Sequence, residues 1–205
     1  MENFFKIRAE KQDHIINSAL AVFGRMGYKK ASVADIADMA GIAKGMVTYY
    51  FGSKKNLYLY LCELTQKTIM DKMNTHFDKN ETDFFKKLEM GIEIKAAIIK
   101  ERPALLQFSV SMYYEKDEEV AEEIKKIMIE SAEAGKELLI NDTDFSKFRD
   151  DAEPQMVGKF LEWAGNGLIM DLQIEQDSEK FDEFVKEFSK LLGLMKTVFY
   201  KEEKL

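Results

Sequence analysis

The chain has 205 residues, of which 46% are apolar and 33% charged, values typical of a globular protein with a sizeable core. Its single cysteine, Cys62, excludes an internal disulfide and fits a reducing cytoplasm, where we expect this protein to be located. Residues 1–12 are charged and unlike a signal peptide. No apolar stretch approaches the roughly 20 residues that span a bilayer, so we expect no membrane partner.

The net charge of −7 hides an uneven distribution along the chain. Residues 1–60 carry nine basic and five acidic side chains, a net +4, whereas the remainder carries 21 basic and 32 acidic ones, a net −11. A basic end on an acidic body indicates a polyanion partner for that end alone, although chance drift in surface charge produces the same pattern.

Apolar residues at spacings of three and four predict helices from the N-terminus onward. The first helix covers 9–26 and ends before Gly27, which we expect in the left-handed conformation that closes a helix. Ser32, followed by Asp35 three residues later, resembles a capping pair for a second, short helix. That helix ends at Gly41.

The rest of the chain contains one more short helix and then long ones. The short helix begins near Lys44, and Ser53 is a good N-cap for the long helix that follows. Long helices are predicted over 54–77, 82–100, 103–112, 118–140, 154–174 and 178–200, with a polar loop at 141–151. No alternating pattern demands a strand, so we predict an all-α fold of about nine helices.

The two short helices have the residues that a helix-turn-helix needs. Ala37 is small enough for a close helix crossing, Gly41 tolerates the positive φ of the turn, and Val47 can dock the second helix on the first. A tight helical hairpin without a ligand has the same spacing. The position of the segment in the basic part of the chain favours the DNA-binding interpretation.

A wider pattern supports this interpretation. The runs FGRMGY at 23–28, SVADIA at 32–37, AGIAKGMVTYYF at 40–51 and SKKNL at 53–57 together resemble the DNA-binding domain of the TetR/AcrR family, over roughly residues 9–69. The resemblance implies a helix-turn-helix DNA-binding domain at 1–53, with its motif at 32–51. The helix at 54–77 then connects it to an effector-binding and dimerisation domain at 54–205.

The resemblance also implies which residues face double-stranded DNA. They are Ser32, Ala43, Lys44, Gly45, Met46, Thr48, Tyr49, Tyr50 and Lys54. Lys44 can meet a phosphate or a guanine, and Gly45 lets the backbone approach the DNA closely. The family often has an aromatic residue at the Thr48 position, so Thr48 departs from its pattern. Of the two tyrosines, we expect one to donate to a phosphate and the other to pack.

Lys54 follows the N-cap Ser53, so we expect it to clamp a phosphate together with the helix N-terminus. Ser32 can touch the DNA backbone in the same way or be a simple solvated cap. Cys62 has no histidine beside it and is interpreted as buried packing.

An effector pocket can only be bracketed from the sequence. The candidate lining residues are Phe108, Met112, Tyr113, Trp163, Asn166 and Met170. Trp163, Asn166 and Met170 share one helix face, and Asn166 would be a polar anchor in an apolar site. Ordinary core packing or a dimer seam explains the same stripe.

The resemblance implies a homodimer, joined through its last two helices, that binds a palindromic operator and is released by a small apolar or amphipathic effector. The alternative is a module of the same fold that binds a ligand or a protein and recognises no operator. An enzyme is the third hypothesis, but nothing positions a pair such as Glu162 and Asp171 for acid–base chemistry. We predict no catalytic residue, no metal and no cofactor, since neither histidine, His14 or His76, has metal-ligand spacing to another ligand.

Overall fold

The computed structural model describes residues 1–174 and 180–204, and within them the secondary structure is helical apart from one isolated antiparallel bridge between Phe148 and Tyr200. The α-helices are α1 (Glu2–Phe5), α2 (Ala9–Lys30), α3 (Val33–Met39), α4 (Lys44–Phe51), α5 (Lys54–His76), α6 (Phe84–Glu101), α7 (Ala104–Tyr114), α8 (Ala121–Ile140), α9 (Pro154–Asp171) and α10 (Phe181–Phe199). The predicted all-α class is therefore confirmed.

Most of the predicted helices are present with shifted ends. Gly27 has a φ of +70°, as expected, but helical hydrogen bonding resumes after it and α2 continues to Lys30. Helix α1 was not predicted, because four residues are too few for a periodic pattern. The predicted polar loop at 141–151 contains one short 3₁₀ turn, Phe145–Lys147. The predicted start of the last helix at Ser178 lies outside the described residues.

The chain forms two compact units, of which the first comprises residues 1–70 and 99–131. Its core contains Phe23, Tyr58 and Phe108. The ring centroid of Tyr58 lies 4.9 Å from that of Phe23 and 5.4 Å from that of Phe108. Cys62 is fully buried there, as predicted, and burial raises the pKa of its thiol to about 12. A buried thiol with a raised pKa has little reactive thiolate at neutral pH, which agrees with a packing role.

Helix α2 crosses α7 at Gly24. A Cβ at this position would lie 2.9 Å from the backbone nitrogen of Phe108 and 3.0 Å from the carbonyl carbon of Gln107. Because both neighbours are backbone atoms, no side-chain rearrangement makes room for a larger residue. Glycine is therefore required for the helix that precedes the helix-turn-helix to lie directly on α7.

The second unit comprises residues 71–98 and 132–205, of which 175–179 and 205 are not described. Its aromatic core includes Phe85, Phe148 and Tyr200. Beside them the buried carboxylate of Asp83 pairs with Lys147 at 3.0 Å and Lys196 at 3.3 Å, which ties α6 to the loop after α8 and to α10. None of the described helices is both long and apolar enough to cross a membrane.

Candidate nucleic-acid interface

Helix α3 begins with a complete capping box. The backbone N–H of Asp35 donates to the Ser32 hydroxyl at 3.2 Å, and the Asp35 carboxylate accepts from the backbone N–H of Ser32 at 2.9 Å and from its hydroxyl at 2.6 Å. These bonds from Ser32 lower the pKa of the Asp35 carboxyl. The predicted capping pair is confirmed, and it sets where the helix-turn-helix starts.

The turn between α3 and α4 depends on Gly41. Its φ is +60°, and a Cβ there would meet no atom within 4 Å, so glycine is needed for its backbone conformation and not for space. The N–H of Ile42 donates back to the carbonyl of Ala37 at 3.0 Å. Ala37 and Val47 are both 1% exposed, which confirms the docking of α4 on α3 that the spacing predicted.

Helix α4 has one exposed face, which we call the reading face. It consists of Ala43, Lys44, Gly45, Thr48 and Tyr49, all of which are exposed. Met46, which we predicted to face outward, is half-buried and packs against the core of the first unit. Seven of the nine predicted DNA-facing residues thus have exposed or half-buried positions within the helix-turn-helix, whereas Tyr50 is buried and Lys54 lies beyond the motif.

The two adjacent tyrosines of α4 have opposite surroundings. Tyr49 is 59% exposed, whereas Tyr50 is 3% exposed and packs edge-on against Phe4 with a ring-centroid distance of 5.8 Å. Phe4 also lies 4.7 Å from Phe51, so helix α1 supports the buried back of the reading face. Of the two tyrosines, Tyr50 is therefore the one that packs, and the phosphate contact expected of the other stays a prediction.

Lys54 does not extend away from the protein. Its Nζ donates to the carbonyls of Tyr28 at 2.9 Å and Ala31 at 3.3 Å, and lies 4.2 Å from the centre of the Tyr28 ring. The backbone N–H of Tyr28 donates to the Glu115 carboxylate at 2.8 Å. Lys54 and Glu115 therefore hold the end of α2 from two sides, and the phosphate contact of Lys54 stays a prediction.

The candidate pocket residues are in three kinds of surroundings. Phe108 and Met112 are fully buried in the core of the first unit, and Tyr113 is 46% exposed at the end of α7. On α9, Trp163 is 58% and Met170 is 61% exposed, and Asn166 between them is half-buried. The burial of Phe108 and Met112 fits core packing, and the exposure of Trp163 and Met170 fits a dimer interface. The sequence left both alternatives open, and the effector pocket stays a prediction.

The comparisons with known proteins agree with the local geometry. Residues 15–61 match the family model described as bacterial regulatory proteins, tetR family. Over 60 residues the chain is 32% identical to the HTH-type transcriptional regulator AcrR of Shigella flexneri. That match covers 29% of this chain and 28% of AcrR, so the chain spans less than a third of the length of this relative.

Two solved structures are similar over most of the chain. A TetR family transcriptional regulator from Chloroflexus aurantiacus J-10-FL has a TM-score of 0.73 at 21% identity, with 98% of this chain and 99% of that chain covered. FadR from Bacillus subtilis, in complex with stearoyl-CoA, has a TM-score of 0.63 at 17% identity, with 89% and 96% covered. At these identities the likeness shows the fold alone. Residues 15–61 are thus similar to the DNA-binding part of the tetR family, and the whole chain has the fold of solved TetR family regulators.

Proposed function

We propose that this protein is a homodimeric transcriptional repressor that binds a palindromic operator through the reading face and leaves it when a small effector binds. The observation that carries the proposal is the separation of the two sides of α4. Lys44, Thr48 and Tyr49 are exposed on one side, while Val47 and Tyr50 are buried on the other.

The chemistry of the reading face suits a DNA groove. An α-helix fits the major groove, where a lysine can bond guanine and a threonine methyl can contact a thymine methyl. Lys44 and Tyr49 offer donors to phosphates. A Cβ at Gly45 would meet no atom within 4 Å, so the space beside this glycine is open and its backbone can come close to DNA. The basic character of residues 1–60 supports the same partner.

A second copy of the chain would cover an exposed apolar stripe on α9. Met156, Phe160, Trp163 and Met170 follow one another at spacings of four, three and seven residues, so they lie on one face, and each is at least 40% exposed. Leu194 and Val198 are likewise exposed on α10. Exposed aromatic stripes of this kind mark protein interfaces, and a two-fold dimer would set two reading faces on successive major grooves.

We further propose that the effector is apolar or amphipathic and binds in the region 54–205. FadR, which has the same fold, is described in complex with stearoyl-CoA, which is an amphipathic molecule. A ligand bound there would release the operator if it favoured a conformation in which the two reading faces no longer match adjacent half-sites.

The test is selection of the purified protein on random double-stranded DNA, followed by fluorescence anisotropy on the enriched sequence. We expect a palindrome, and we expect Lys44→Ala to weaken binding by about tenfold, since a lost lysine contact to a base or phosphate costs roughly 1–3 kcal/mol. Lys126→Ala, which removes an exposed lysine from α8, is the matched control and should bind like the wild type.

Salt dependence separates phosphate contacts from other causes. Affinity should fall steeply as salt is added, and Lys44→Ala should reduce that slope if its ammonium contacts a phosphate. A selection that enriches no sequence would instead favour the module that binds a ligand or protein without an operator.

A further inference from the structure

The end of α2 carries two adjacent lysines, Lys29 and Lys30, between two buried residues. Tyr28 is 1% exposed and Ala31 is 2% exposed, whereas both lysines are exposed. The next residue along the chain is Ser32, the N-cap of α3. The lysine pair therefore directly precedes the first helix of the helix-turn-helix, and it lies on the solvent side of a segment whose ends are buried.

The backbone of this segment is held at both of its ends. Lys54 donates to the carbonyls of Tyr28 and Ala31, the residues on either side of the lysine pair. Two carboxylates reach the segment at Tyr28, where Glu115 accepts from the backbone N–H at 2.8 Å and Glu119 lies by the buried phenol. Because the backbone is fixed before any ligand arrives, the lysine pair loses little backbone freedom when it binds one.

Other basic side chains of the first unit are engaged by carboxylates of the same unit. Lys55 forms an ion pair with Glu123 at 2.8 Å, and Arg102 forms one with Asp13 at 3.0 Å. The stretch of chain around the lysine pair is different, since residues 14–34 include no aspartate or glutamate. An exposed pair of positive charges in such a stretch suits an anionic partner outside the chain.

The docking geometry of a helix-turn-helix indicates which anion this is. When the second helix of the motif lies in the major groove, its first helix crosses the phosphate backbone. Here α4 is the second helix and α3 is the first, so the residues directly before α3 come next to the strand that borders the half-site. The anions at that position are phosphates, to which a lysine ammonium group forms charge-assisted hydrogen bonds.

We propose that Lys29 and Lys30 bind DNA phosphates at the edge of each half-site and thereby fix the register of the reading face on the duplex. This inference rests on the proposed function and adds phosphate contacts that lie outside the reading face. Lys44 then contacts DNA within the groove, whereas the lysine pair contributes affinity that is independent of the base sequence. Lys54, expected from the sequence to clamp a phosphate, instead holds the carbonyls on either side of the pair.

The experiment measures binding of the full chain to its selected operator and to a random duplex of equal length, by fluorescence anisotropy between about 50 and 200 mM salt. The double variant Lys29→Ala, Lys30→Ala should bind both duplexes more weakly by the same factor, since a phosphate contact carries no sequence information. Each lost contact should lower the slope of log affinity against log salt by about 0.9. For two contacts, the affinity of the variant should fall about tenfold less than that of the wild type over this salt range.

Two further double variants provide the controls. Lys125→Ala, Lys126→Ala removes another adjacent pair of exposed lysines, on α8 of the same unit, and should bind both duplexes like the wild type. Lys29→Arg, Lys30→Arg keeps both charges and should keep the wild-type salt slope. Since all four side chains are exposed, each variant should melt close to the temperature of the wild type.

The proposal is wrong if the alanine variant of the lysine pair keeps the wild-type affinity and salt slope, or if the arginine variant loses as much affinity as the alanine variant. A change in the enriched DNA sequence would also contradict it, because the lysines would then contact bases. If selection enriches no sequence while duplex binding still requires the pair, the operator proposal fails and the phosphate contacts stand. A wild type that binds neither duplex would overturn both proposals.

Discussion

Helices α4 and α9 each present a large aromatic side chain to solvent, Tyr49 at 59% and Trp163 at 58% exposure. Exposure alone therefore does not distinguish them, but their neighbours do. Tyr49 lies beside Lys44, Gly45 and Thr48, which suit a polar, negatively charged surface. Trp163 packs against Phe160 in the apolar stripe of α9. The apolar side chains of that face suit an apolar partner.

The partner of an exposed aromatic residue is therefore indicated by the whole face on which it lies. A tyrosine hydroxyl among donors can bond a phosphate while its ring packs. A tryptophan among methionine and phenylalanine side chains gains mainly from the burial of apolar area, and such residues are often dominant in protein interfaces. The reading face of α4 is also supported from behind by Phe4 of α1, and the strength of this support can be measured.

The largest effect is expected from Phe4→Ala, behind the reading face. Phe4 is 1% exposed and contacts Tyr50 and Phe51, so its truncation should lower the free energy of unfolding by about 3–5 kcal/mol. The neighbouring Phe5 is 56% exposed, which makes Phe5→Ala a matched control with a loss well under half as large. Urea unfolding of both variants measures the difference, and equal losses would contradict the support of α4 by α1.

A smaller effect is expected from Trp163→Glu on α9. A central tryptophan in an interface typically contributes about 2 kcal/mol or more, so the dimer should dissociate at concentrations at least about thirtyfold higher than those of the wild type. Sedimentation velocity over a dilution series gives this shift. Gln155→Glu introduces the same charge on another side of α9 and should leave the dimer intact. If the Trp163→Glu variant dimerised as tightly as the wild type, the dimer interface would not include Trp163.

The sequence predicted those features that depend on neighbours close along the chain. Gly27 and Gly41 were placed correctly because a glycine at a helix end usually marks a positive φ. The capping box of Ser32 and Asp35 spans three residues, so its pattern is complete in the sequence. The helix periods followed from the same short-range regularity.

The features that were missed depend on contacts between distant segments. Phe4 is buried against Tyr50 and Phe51, which are distant from it along the chain, and nothing in a four-residue helix indicates this. Lys54 looks free in the sequence, and only the fold brings the carbonyl of Tyr28 to its ammonium group.

The smallest effect is expected from the capping box itself, through its pH dependence. The bonds from Ser32 lower the pKa of Asp35 in the folded protein, so this carboxylate stabilises the fold above the unfolded pKa of about 4. That stabilisation is lost as the pH falls through the lower, folded pKa. We therefore expect the stability difference between the wild type and Asp35→Asn to be constant near neutral pH and to shrink below about pH 4.

Denaturant titrations at a series of pH values measure this difference, with Asp38→Asn, an exposed carboxyl on the same helix, as the control. Because Asp35 is at the solvent-exposed start of α3, its contribution should be much smaller than that of Phe4, which supports the other helix of the motif from within the core. If Asp35→Asn changed stability equally at every pH, the capping carboxylate would act through its shape and hydrogen bonds, and its charge would contribute nothing to the start of the helix-turn-helix.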